Sequence, residues 1–144
     1  MLMLVQKQML KGHRIECDNL KAQVMNADEL TSKLKCLLEE LRVNRDLAAN
    51  QYEVGGRVKM KLVTLVWDAV ENDIDGLGKD LALDLRFAYG EVWRFNAIVE
   101  NFDSIWDHLL PSGDTVESLM ADKALRAKIS LIMAEQKLSA YLAG

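Results

Sequence analysis

The residues that could do chemistry in this chain are few, and their spacing limits what they could do. Glu71, Asp73, Asp75 and Gly76 fall at positions one, three, five and six of a calcium-binding EF-hand loop. A hard cation wants several carboxylates around a sharp glycine turn, which is why the match is worth testing. It stops there. Position eight is Gly78, where an apolar residue belongs, and position twelve is Ala82, where a bidentate Glu is needed. The segment reads as an acidic turn. Of the two histidines, His108 has Asp107 beside it and Asp103 five residues back, and neither shares its helical face; His13 stands apart. Helical metal sites gather several such ligands on facing helices, so none is expected. Cys17 lies four residues after His13, but nucleophilic catalysis also needs an orienting acid and oxyanion donors, and both are missing. Gly76-Leu77-Gly78-Lys79 lacks the spacing of a phosphate-binding loop. No catalytic residue, metal or other cofactor is expected.

The bulk properties narrow the class further. The chain has 144 residues, a net charge of -4 and 50% hydrophobic residues, enough for one domain with a buried core. One proline and eight glycines suit long helices better than a sheet with many turns. Residues 1–54 and 111–144 are charge-balanced, so 55–110 carries the whole acidic excess. Without clustered Lys and Arg, nucleic acid is not an expected partner. Cys17 and Cys36 are too few for a disulfide framework, and on one continuous helix they would be too far apart to bond. A reducing, cytoplasmic location is the expectation that follows. Met1–Val5 is apolar, but Gln6, Lys7 and Gln8 follow at once, and no run of roughly 20 apolar residues exists. Neither a secretory signal nor a membrane span is expected; a peripheral membrane tie or a truncated anchor is the most that this start allows.

Four helices are expected to position these residues, making an all-α fold. From about Met3 to Tyr52 only Gly12 interrupts helical composition. Leu10, Cys17, Val24, Thr31 and Leu38 recur in sevens, as do His13, Leu20, Ala27, Leu34 and Leu41, the pattern of a coiled-coil seam. Flanking charges, Lys33, Lys35, Glu39, Glu40 and Arg42 among them, are expected to stay wet. Gly55-Gly56 separates this helix (1–54) from a bundle portion (55–144) of the same domain. Met60–Val70 is apolar nearly all round and predicts a short, deeply buried helix. After the turn Asn72–Gly78, with Asp75 as N-cap, an apolar stripe runs through Leu77, Leu81, Leu85, Ala88, Val92, Phe95, Val99, Phe102, Trp106 and Leu109. Steps of three and four keep one helical face in register, predicting a third helix roughly 50 Å long. Gly90 in its middle suggests either a close helix crossing or a tolerated imperfection. Beyond Pro111-Ser112-Gly113, a second stripe from Val116 through Met120, Ala124, Ala127, Leu131, Ala134 and Leu138 to Tyr141 predicts a long fourth helix, antiparallel to the third.

The order of features also resembles a known pattern. Leu38-Glu39-Glu40-Leu41-Arg42-Val43-Asn44 leads to an apolar segment with Thr64 and Trp67-Asp68-Ala69. An acidic glycine turn follows, then Leu77, Leu81 and Leu85, with Tyr89 and Asn96 beyond. This is similar to a loose group of uncharacterised prokaryotic small helical domains, often anchored at the N-terminus by a membrane helix. The resemblance spans about residues 34–110 and implies a helical fold, with no activity or catalytic residue attached.

The expected function is structural. A scaffold would self-associate, as a dimer first of all, through the seam of Leu10, Cys17, Leu20, Val24, Leu34, Leu38 and Leu41. The alternative is a small adaptor that binds a partner protein in a groove between the third and fourth helices. Trp93 lies off the main stripe and is the candidate contact for it, since Trp dominates binding hot spots. A metal-binding or enzymatic bundle ranks last.

Overall fold

The computed structural model of the chain describes residues 27–53, 60–101 and 116–144. Four α-helices carry them: α1 (Ala27–Glu53), α2 (Leu65–Val70), α3 (Lys79–Glu100) and α4 (Val116–Ala143). A 3-10 helix, Glu71–Leu77, joins α2 to α3. No strand occurs among the described residues, and the all-α expectation holds. None of the described helices is long and apolar enough to cross a membrane.

Helix α4 packs along both α1 and α3. Its buried face is Met120, Ala124, Ala127, Leu131, Ala134 and Leu138, the stripe read from the sequence. Three alanines among larger side chains let neighbouring helices approach closely while the larger ones fill the space between. Leu85, Ala88, Val92 and Phe95 of α3 and Leu34, Leu37, Leu41, Leu47 and Ala48 of α1 complete the interior. Two ion-pair clusters bridge the helices at the edge of this core. Arg45 of α1 reaches Glu135 of α4 at 2.5 Å, with Arg42 on the same carboxylate at 3.2 Å. Lys137 of α4 meets Asp84 of α3 at 2.5 Å.

The structure corrects several boundaries. Helix α3 stops at Glu100 instead of running on to Leu109. The Asn101 backbone N–H still reaches the Ala97 carbonyl but is shared with that of Ile98, and its side-chain amide also donates to Ala97 at 2.7 Å, so side-chain and tightened bonds mark the last turn. Phe102, Trp106 and Leu109 lie outside the described residues. At the other end Gly78, not Asp75, is the N-cap. Its φ of +102° is a conformation that side-chain-bearing residues avoid. Asp75 instead accepts a 2.8 Å bond from Arg86 one helix later. Among the described residues Gly90 is at no helix crossing: an added Cβ would meet there only the flexible Arg94 guanidinium, at 3.7 Å. Tyr141 is exposed rather than part of the α4 stripe.

Two further corrections concern α1. Lys33 and Glu40, expected on wet faces, are buried, because α1 is covered by α4 and also by the segment containing α2. Cys36 is buried and disulfide-bonded, and Cys17 is the only other cysteine in the sequence. The bond corrects the expectation that Cys36 is unpaired; Cys17 lies outside the described residues.

Candidate functional site

The segment Met60–Val70 forms less helix than its composition predicts. Only Leu65–Val70 is helical, and residues 60–64 are not. Two successive residues of this stretch are each met by an asparagine from a different long helix. Asn44 of α1 donates through Nδ2 to the Val63 carbonyl and accepts from the Val63 N–H through Oδ1, both at 2.7 Å. Asn96 of α3 does the same for Leu62, accepting at 2.7 Å and donating at 3.0 Å. A primary amide carries one donor and one acceptor side by side, so each Asn substitutes for a neighbouring β-strand. The two together strap the segment between α1 and α3.

Glu40 lies one turn before Asn44 and continues the same line of contacts. The Val66 and Trp67 backbone N–H groups donate to its carboxylate at 2.7 and 3.2 Å. These are the orphan donors of the first turn of α2, which an N-cap side chain ordinarily takes. Thr64 makes no such bond, because its hydroxyl lies against Asp68 at 3.2 Å. Glu40 thus caps α2 from another helix. The Tyr89 hydroxyl donates a third bond to it at 2.7 Å. Burial pushes the Glu40 carboxyl up to about 7, against these three donors, which favour its charged form, while nearby Asp68 pushes it further up. Burial and the Glu40 carboxylate together raise Tyr89 well above its ordinary value.

Tyr89 also stacks on Trp67, with ring centroids 4.5 Å apart and planes 3° from parallel. The stack forms one wall of a cavity of about 310 Å³, which Thr64, Asp68, Glu71, Arg86, Gly90 and Trp93 complete. A second cavity, about 290 Å³, shares Thr64 and Trp93 with the first and continues past Lys61, Leu62, Asn96, Ala97 and Glu100. Trp93 stands at the boundary of both and is 71% exposed. Neither cavity is lined by α4.

The residues singled out from the sequence separate into two groups. Leu34 and Leu41 are buried within their own chain, and Leu38 packs half-buried against the same core. Leu10, Cys17, Leu20 and Val24 lie outside the described residues. Trp93 is exposed beside the two cavities. Glu71 and Asp73 project into solvent from the 3-10 helix. Among the described residues no three or more His, Cys, Asp or Glu side chains gather closely enough to hold a metal ion.

Reasoning from the sequence did not single out Glu40, Asn44 and Asn96 as a site, although all three stand in the residues that carry the prokaryotic resemblance. A signal existed. Glu40, Asn44 and Gln51 share the helical phase of Leu37, Leu41 and Ala48, so polar groups interrupt an otherwise apolar stripe. In comparisons with known proteins, no family model, no curated protein and no solved structure matches this chain.

Proposed function

We propose that this protein is a non-catalytic helical interaction module, an adaptor that holds a segment of a partner protein against Trp93. The groove runs between residues 61–71 and α3. The observation that carries this reading is the position of Trp93, exposed at the junction of two adjoining cavities while Trp67 is buried in the wall. A large aromatic ring held out on a rigid helix, beside pockets able to accept neighbouring side chains, is the arrangement that concentrates binding energy at interfaces. The double Asn strap and the Glu40 cap support it by fixing the far wall of the groove, so that little order has to be gained on binding.

A peptide library displayed on phage and panned against the protein tests this. The expected result is a consensus motif that is lost on Trp93→Ala, with the helical circular dichroism of the variant unchanged. Absence of any Trp93-dependent consensus would sink the reading.

Self-association through the seam of residues 10–41 has less support, since Leu34 and Leu41 are already covered by their own chain. A homodimer through α4 is a second reading, favoured by Ile129 and Met133, which lie one turn apart and are about half exposed. Sedimentation at micromolar concentration tests it: a dimer that Met133→Lys dissociates would support it, and a monomer would reject it. The disulfide at Cys36 supports an oxidising compartment over the cytoplasm.

A further inference from the structure

The charges around the groove specify what it accepts. Five charged side chains line the two cavities: Asp68, Glu71 and Arg86 in the first, Lys61 and Glu100 in the second. Lys61 and Glu100 pair with each other. The Arg86 guanidinium is engaged by Asp75 at 2.8 Å, which is not a lining residue. Asp68 and Glu71 remain, and among the described residues neither has a cationic partner. Two uncompensated carboxylates thus edge a cavity whose other walls are the Trp67–Tyr89 stack and the exposed indole of Trp93.

We infer that the occupant is a basic segment of a partner protein, with an Arg or Lys side chain laid over Trp93 and its charge directed at Asp68 and Glu71. This rests on the adaptor reading above. The face of an indole attracts a cation, and does so more strongly where the cation is partly shielded from water. An Arg or Lys stem also covers apolar surface with its methylenes while its charged end stays polar-bound. An acidic or phosphorylated segment would instead meet two carboxylates with no free cation among the described lining residues to offset them, which disfavours it at this surface. The acidic excess of residues 55–110 extends the same preference outward, adding long-range attraction for a basic partner.

Three acetylated hexapeptides of Gly and Ser, carrying at their centre two Arg, two Glu or two further Ser, test the inference by titration of tryptophan fluorescence at low ionic strength. The Arg peptide is expected to bind at least about ten-fold more tightly than the Ser peptide, and the Glu peptide more weakly still. Asp68→Asn with Glu71→Gln should remove that advantage. Asp28→Asn with Asp122→Asn, which changes net charge equally at exposed positions elsewhere, should leave it intact. Asp68→Lys with Glu71→Lys should reverse the preference toward the Glu peptide. Equal binding of the three peptides, or equal weakening by both neutralising pairs, overturns the inference. A phage consensus that depends on Trp93 but lacks basic residues overturns the charge assignment and leaves the groove standing; no Trp93-dependent consensus removes both.

Discussion

The Tyr89 hydroxyl donates a 2.7 Å hydrogen bond to Glu40, and through it α3 holds the carboxylate that caps α2. Three elements meet at one buried acid whose proton affinity is raised to about 7 from an ordinary 4.5. The folded protein therefore keeps this proton to higher pH than the unfolded chain does. Folding takes up a proton between the two values, so the stability gained is complete below about pH 4.5 and is lost as pH rises through about 7. At about 1.4 kcal/mol per unit, the change across the window is about 3 kcal/mol. Glu40→Gln keeps one acceptor, for the Val66 N–H, and places its amide where Oε1 accepted from Trp67 and Tyr89, but it does not titrate. It is expected to melt close to wild type at pH 4.5, to melt higher at pH 8, and to flatten the slope between. A wild-type melting temperature that rises over this range would refute the assignment.

Asn44→Ala leaves the Val63 N–H and C=O without their partners. An unsatisfied buried polar group costs about 1–3 kcal/mol, and partial access of water to this half-buried residue brings the total expected to about 2–4 kcal/mol. Because Asn96 straps the adjacent residue, Asn44→Ala and Asn96→Ala are expected to be non-additive in chemical denaturation, with a coupling energy above about 0.5 kcal/mol. Strict additivity would mean that the two straps act separately.

Gln51 of α1 is 1% exposed, and among the described residues neither its Oε1 nor its Nε2 has a hydrogen-bond partner. Its burial therefore costs free energy that an apolar side chain of similar length would not. Gln51→Met is expected to raise stability by about 1–2 kcal/mol, measured as a shift in the urea midpoint at constant slope. A loss of stability would show that the amide is satisfied in solution.

Gly90 sits inside α3 at a negative φ, with room for a methyl group beside Arg94. Gly90→Ala should stabilise the protein by about 1 kcal/mol through the lower entropy of the unfolded chain. Gly78→Ala should destabilise it, because its φ of +102° is strained for any side chain. Thermal melts of the two variants with opposite signs would separate flexibility that the fold uses from flexibility it does not.

Reduction is expected to lower stability by about 2–4 kcal/mol through release of the disulfide at Cys36. Cys36→Ala should reproduce the loss and make the protein indifferent to reductant. Alkylation of the unreduced protein under denaturing conditions should label no thiol. Two labelled thiols would place the cysteines in the reduced state.

The periodicity of apolar residues was enough to identify the helical class, the buried faces of α3 and α4 and the off-stripe position of Trp93. Such patterns are local, because each records which side of one element is shielded from water. They could not reveal what shields it. Glu40 and Asn44 read as ordinary polar residues until α2 and the non-helical residues before it bring backbone donors and acceptors to them. Met60–Thr64 reads as helix because its composition is apolar, yet the backbone bonds of Val63 and Leu62 go to Asn44 and Asn96, side chains 19 and 34 positions away. Burial preference is written into each residue type, but the partner that satisfies a buried polar group comes from another part of the chain, and only packing decides which one arrives.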